Sequence, residues 1–136
     1  MTDMLAMGQQ VLASQSFSKL LGTQLTAFSE EQVELQLPLN DALLQQNGFA
    51  HGGVLSYLAD NALTFAGGAK LGIAVLTAEY KINYLRPAVG KKLIARASAL
   101  HAGKTLATCC CDVFSVAEDG TEKLCATAQG TIAKVG

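Results

Sequence analysis

One carboxylate, Asp60, stands in a stretch of apolar and small residues, and nine positions before it the chain reads His51-Gly52-Gly53. A carboxylate with apolar neighbours is expensive unless it is paired or used. If used, it is a general base or a nucleophile; if only paired, it holds an interface together. The His-Gly-Gly step falls where a polar loop becomes a long apolar segment. The first amides of a helix starting there have no intrahelical partners and sit at its positive end, which suits a developing oxyanion. Glycine at 52 and 53 lets a substrate carbonyl approach the backbone closely. Gln45, six residues before His51, is either a second donor or an ordinary loop amide, and Thr64, one turn after Asp60, shares its face and is placed to orient a water. Along one helix, however, Asp60 lies about 13 Å from His51 at ~1.5 Å per residue, too far to serve a carbonyl bound at that helix's own N-terminus. Two such helices set antiparallel about a two-fold axis remove the difficulty, so the spacing predicts an obligate dimer with two shared sites.

The elements that position these residues are readable from hydrophobic periodicity. Val54, Leu58, Leu63, Phe65 and the intervening alanines are apolar all round, which predicts a buried helix ending in the Gly67-Gly68 and Gly72 region. Those paired glycines read as close packing and termination, since no phosphate-loop pattern surrounds them. Met4, Leu5, Val11 and Leu12 recur at helical spacing and predict a short helix over about Met4 to Ala13, part of a helical segment over 1–20 that lies on the body, with Gly22 ending the region. From Gln24 the period changes and a hairpin precedes the long helix: Val33, Leu35 and Leu37 alternate with Gln32, Glu34 and Gln36, a half-buried strand after the Ser29-Glu30-Glu31 turn and closed by Pro38. After the long helix come strands over Leu76 to Leu85, Lys92 to Leu100, Thr105 to Val116 and Lys123 to Lys134, with turns at Arg86-Pro87, His101 to Lys104 and Glu118-Asp119-Gly120. That order predicts a single α+β domain over 1–136, in which one curved antiparallel sheet wraps one long central helix.

Composition narrows the function. With 136 residues, half of them apolar, the chain makes one proper core. Ten basic and 11 acidic residues spread along it offer no face for nucleic acid. No run reaches the roughly 20 apolar residues of a membrane span, and the N-terminus, with Asp3 and Gly8 to Gln10, does not read as a secretion signal, so a cytoplasmic protein is expected. Cys109, Cys110 and Cys111 in a row, with Cys125, are neither a disulfide framework nor a spaced ligand pair and read as small strand residues. With two histidines, His51 and His101, no metal site is expected.

The run from Gln45 to Asp60, with Gly48, His51-Gly52-Gly53 and Leu58-Ala59-Asp60, resembles the hotdog-fold acyl-CoA thioesterases, specifically the phenylacetic acid degradation thioesterase-like (PaaI-like) group. The likeness extends over roughly residues 20 to 134 and includes Glu79 to Ala88 and the turn Gly103-Lys104-Thr105-Leu106. It implies hydrolysis of an acyl- or aryl-CoA thioester to a free acid and coenzyme A, with no cofactor beyond the coenzyme A of the substrate. It also implies a homodimer whose sheets join edge to edge, paired again into a homotetramer. By position, Asp60 resembles the family's catalytic carboxylate and Gly52 its oxyanion amide, with His51 and Gln45 beside the thioester carbonyl and Thr64 where several relatives have serine. By the same resemblance Thr77, Glu79, Tyr84, Arg86 and the turn bearing Gly103, Lys104 and Thr105 lie along the coenzyme A channel, Arg86 and Lys104 facing phosphates. Two rival functions stay open: an acyl-CoA-binding hotdog protein without turnover, and a hotdog dehydratase or hydratase of 3-hydroxyacyl thioesters. Phe65, Ala62, Ala66 and Leu63 around Asp60 point to an aryl or medium aliphatic acyl group.

Overall fold

The alternation Val33-Glu34-Leu35-Gln36-Leu37 does form a strand, with its three apolar side chains buried and its two polar ones half-buried. It belongs to a computed structural model that describes residues 3–136; Met1 and Thr2 lie outside the described residues. The elements in order are helices α1 (Met4–Ala13) and α2 (Ser16–Leu21), strands β1 (Gln24–Phe28) and β2 (Val33–Pro38), helix α3 (Gly52–Leu71), and strands β3 (Val75–Tyr84), β4 (Lys92–Ala102), β5 (Leu106–Val116) and β6 (Glu122–Lys134). A short 3-10 turn, Asp41–Leu43, breaks the loop before α3. The six strands form one antiparallel sheet in the order β1-β2-β4-β5-β6-β3. This is the expected hotdog arrangement, with α3 lying across the concave face and burying Leu58, Ala59, Ala62 and Leu63 against Leu93, Ala95, Val113 and Ile132.

Two details differ from the sequence reading. The N-terminal segment is two helices, because Ser14 closes α1 by donating its hydroxyl to the Val11 carbonyl and Gln15 is extended before α2 begins. The β4–β5 turn is Gly103–Thr105, later than expected, since His101 still pairs with Thr108 and Ala102 with Ala107; a bulge at Leu100 absorbs the offset.

The cysteine run behaves as strand. Cys109 and Cys111 point into the core while Cys110 is half-buried on the other face, as period two requires. Burial first, and the neighbouring Cys110 second, push the Cys109 thiol up to about 11, and burial pushes Cys125 to about 11 as well. Both are protonated at neutral pH and so are poor nucleophiles and poor ligands.

Candidate active site

Every fourth residue of α3 from its start, Gly52, Ser56, Asp60, Thr64 and Gly68, lies on one ridge, and that ridge runs antiparallel to β3. Contact by contact, rising numbers on the helix meet falling numbers on the strand. The Tyr84 hydroxyl donates to the Gly52 carbonyl at 3.1 Å, and the Ser56 and Tyr80 hydroxyls are 2.5 Å apart. Thr77 donates to Oδ1 of Asp60 at 2.6 Å; Thr64 donates to the Asp60 backbone carbonyl at 2.8 Å and stands 3.0 Å from the Thr77 hydroxyl. Gly68 faces Val75. Strict alternation would send Thr77 and Tyr80 to opposite faces of the sheet. A bulge in β3 prevents it: Thr77 pairs with Ile132 and Glu79 with Thr131, leaving Ala78 as the extra residue that turns Thr77 toward the helix.

Asp60 is therefore half-buried and hydrogen-bonded, less enclosed than an apolar helix suggested. Its second oxygen, Oδ2, accepts nothing among the described residues, and no fully buried side-chain oxygen or nitrogen there lacks a partner, so Oδ2 is accessible. This is a carboxylate fixed at one oxygen and available at the other.

At the start of α3, His51 is the N-cap, its Nδ1 accepting from the Gly53 amide at 2.8 Å. That bond places the neutral ring's proton on Nε2 and turns a donor outward. The His51 carbonyl takes the amides of Val54 and Leu55. The Gly52 amide is left without an acceptor among the described residues. Tyr84 covers Gly52 so closely that a Cβ there would touch its ring at 3.5 Å. Gln45 is held in a turn, accepting from the Gly48 amide and donating to the Phe49 carbonyl, with Gly48 at a φ of 85°. Its side-chain Oε1 accepts from the Asn47 amide, which leaves the side-chain NH₂ as a donor.

The remaining candidates divide between the two ends of the sheet. Tyr84 and Arg86 are exposed at the Gly52 end, and Glu79 is exposed on β3. The exposed turn Gly103, Lys104 and Thr105 lies at the other end: Leu106 is level with Ala133, and Ala133 with Leu76. Leu76 and Arg86 are ten residues apart along an extended strand, about 33 Å at ~3.3 Å per residue. Asp60 and Gly52 are separated by about 12 Å of helix rise. One protomer therefore brings Asp60 together with Thr64 and Thr77, and Gly52 with Tyr84 and His51, but neither unites the two groups nor joins Arg86 to Lys104.

The sequence reading missed Ser56 and Tyr80, although the four-residue spacing from Ser56 to Asp60 was there to be seen. It also missed a polar cluster that fastens α2 to α3. Ser18, almost fully buried, donates to Gln15 at 2.6 Å and sits 2.6 Å from the Tyr57 hydroxyl; Tyr57 donates to Thr23, and Asn61 donates to Gln15. No single pattern in the sequence marks those five residues as neighbours.

Residues 47–122 match the family model described as Thioesterase superfamily, a span that holds His51, Gly52, Asp60 and Thr64. The chain belongs to the thioesterase superfamily. Among solved structures, a thioesterase family protein from Silicibacter pomeroyi is 33% identical, covers 93% of this chain and 95% of its own, and superposes with a TM-score of 0.88. A thioesterase from Haemophilus influenzae is 29% identical over 98% of this chain and 91% of its own, with a TM-score of 0.83. The PaaI protein of the Escherichia coli phenylacetic acid degradation operon, 22% identical over 95% and 91% with a TM-score of 0.81, shares the fold. The hotdog architecture is thus the family's own, and relatives in it carry the names of hydrolases. Among the described residues no helix is long and apolar enough to cross a membrane.

Proposed function

We propose that the protein hydrolyses an acyl- or aryl-CoA thioester to a free acid and coenzyme A at two sites shared across a homodimer. The observation that carries this reading is the single ridge of α3 bearing both an unengaged Gly52 amide and an Asp60 carboxylate steadied by Thr77. Only their separation prevents them from acting together. Strand β3 supplies the remedy, being a ten-residue edge strand paired on one side alone, with Leu76 and Tyr84 largely exposed. Such an edge is a template for a second strand. If two copies pair antiparallel about a point midway between Tyr80 and Lys81, Thr77 stands opposite the second copy's Tyr84. The Asp60–Thr77 group of one protomer then meets the Gly52–Tyr84 group of the other. The same symmetry carries the Lys104 turn of one protomer to within three strand spacings, about 14 Å, of the other's Arg86 strand, so the coenzyme A channel is shared as well. Pairing of two such dimers gives the tetramer implied by the family resemblance.

In the reaction, the thioester oxygen lies against the Gly52 amide, with the Gln45 NH₂ as second donor and the His51 Nε2 proton beside the group. Asp60 acts by one of two routes. As nucleophile, Oδ2 bonds to the carbonyl carbon, the C–S bond breaks, the thiolate takes a proton, and water hydrolyses the resulting anhydride. As base, Oδ2 takes a proton from water while hydroxide attacks, and the collapsing intermediate expels the thiolate, which is reprotonated. In both, the donors stabilise negative charge that exists only after attack, so they act on kcat.

The test is thiol release from a panel of acyl-CoA substrates, together with solution size at the assay concentration. A dimer that releases thiol is expected; an active monomer would remove the shared site. Within the site, Gln45→Ala is expected to lower kcat by about 10- to 10³-fold as the loss of one of two donors. Asn47→Ala keeps the backbone amide that Gln45 uses, so its rate should stay within about 2-fold, which a side-by-side rate measurement decides. Lys104→Ala should raise KM for acyl-CoA with little change in kcat, since phosphate contacts are shared by ground and transition states. An equal rise on a short thioester lacking the nucleotide would place Lys104 elsewhere.

A further inference from the structure

A mainly apolar hollow begins one helical turn past Asp60, and the proposed reaction leaves it unused. It has a volume of about 330 Å³ and lies between α1 and the second half of α3. Met4, Met7 and Val11, one stripe of α1, form its roof. Phe28 and Phe65 form a wall, packed edge to face with centroids 5.4 Å apart. Thr64, whose hydroxyl belongs to the Asp60–Thr77 group, lines it, and so does Gly68, the next residue of the same ridge. Of the apolar residues named from sequence as surrounding the acyl group, Ala62, Leu63 and Ala66 are buried core, and only Phe65 lines this space.

We infer that this hollow holds the acyl chain of the substrate, with Gly68 setting the length accepted and α1 serving as a deformable roof. The inference rests on the thioesterase reading and deepens it by assigning a substrate class, a medium straight-chain or aryl acyl group. Position argues for that occupant. A group attached to a carbonyl at Asp60 meets Thr64 about 6 Å along the helix and Gly68 about 12 Å along it, at ~1.5 Å per residue. Size argues for it too: at 330 Å³ the hollow is about twice the ~150 Å³ cavity known to take one benzene, so it suits a substituted ring or a chain of medium length. The wall is rigid because its two rings fix each other, whereas the roof carries two unbranched methionines that adapt to what lies beneath them. Gly68 is the gate because, one turn past Thr64 on the Asp60 ridge, it lines the hollow without a side chain. A Cβ there would meet Val75 at 3.6 Å, an ordinary contact, so alanine fits, while a larger side chain must enter the hollow.

The experiment measures kcat/KM for straight-chain acyl-CoA substrates from acetyl to palmitoyl, with benzoyl and phenylacetyl, in the parent, Gly68→Ala and Gly68→Leu. Dissociation constants of the uncleavable thioethers S-octyl-CoA and S-ethyl-CoA are measured on the same proteins. Gly68→Leu is expected to lower the octanoyl-to-propionyl ratio of kcat/KM by at least about 10-fold, the scale of losing room for more than one methylene, with Gly68→Ala moving it the same way by less. The thioether ratio should move in parallel. If the parent cleaves no thioester yet the thioether ratio shifts, the hydrolase reading fails and the acyl pocket stands. If both ratios stay within about 2-fold in a Gly68→Leu protein that melts and sizes like the parent, the pocket is overturned. If Gly68→Leu fails to fold or dissociates, Gly68→Ala decides: a ratio that falls there supports the assignment, and an unmoved ratio overturns it.

Discussion

Asp60→Asn is expected to lower kcat by at least about 10²-fold, the usual scale for a removed base or nucleophile, while the dimer and ligand binding persist. The substitution is nearly isosteric. Its carbonyl oxygen still accepts from Thr77, and the Thr64 bond to the backbone carbonyl at 60 is untouched. What disappears is the charge on the accessible oxygen, and with it the only carboxylate on the ridge able to act as base or nucleophile at neutral pH. Because the substrate contacts proposed for Gly52, Tyr84 and the Lys104 turn do not involve that atom, KM should move far less than kcat. Steady-state rates with the preferred acyl-CoA, paired with thioether binding and solution size, separate the outcomes. Activity within a few-fold of the parent, in an intact dimer, would make the carboxylate an interface group and favour an acyl-CoA-binding protein without turnover.

Most of the architecture was legible in the sequence because each element carries its own period. The β2 alternation, the all-round apolar α3 and the glycines at 103 and 120 mark their elements locally. The break between α1 and α2 was not legible, since it depends on Ser14 turning its hydroxyl back onto Val11 and Gln15 joining a cluster with residues far along the chain. The site shows the same division. His51, Gly52, Asp60 and Thr64 lie on one continuous helix, so their spacing could be converted to distance. Thr77 could not be placed beside Asp60, because a single-residue bulge reverses the face that alternation assigns to it. The hollow under α1 was hidden for another reason: its lining comes from separate segments, α1, Phe28 and the second half of α3, and a stripe such as Met4, Met7 and Val11 reads simply as a buried face until something is seen to be missing beneath it.

Gly67→Val is expected to destabilise the fold by about 3 kcal/mol or more, the upper range for overpacking a core. Adjacent glycines on α3 differ sharply in what surrounds them. A Cβ on Gly67 would lie 2.5 Å from Cβ of Ile132, 2.6 Å from its Cγ2 and 2.8 Å from its Cγ1, whereas on Gly68 it would touch only Val75 at 3.6 Å. Ile132 is fully buried in β6, a strand hydrogen-bonded to β5 on one side and β3 on the other. Its Cβ is fixed to the strand backbone, so rotating the side chain brings no relief and the helix must lift or the sheet must bend. Lifting α3 also separates Asp60 from Thr77, since β3 is carried on β6. The expected result is a melting temperature lower by about 10 °C, in contrast to Gly68→Ala, which should be neutral or gain up to ~1 kcal/mol from helix propensity. A double-mutant cycle with Ile132→Ala identifies the cause. Ile132→Ala alone should cost about 2–5 kcal/mol, and the pair should cost less than the sum because the smaller residue makes room for the valine. If Gly67→Val melted within about 2 °C of the parent, or if the cycle were additive, α3 would ride further from β6 than these distances allow, and the close approach that sets the Asp60–Thr77 contact would have to come from elsewhere in the core.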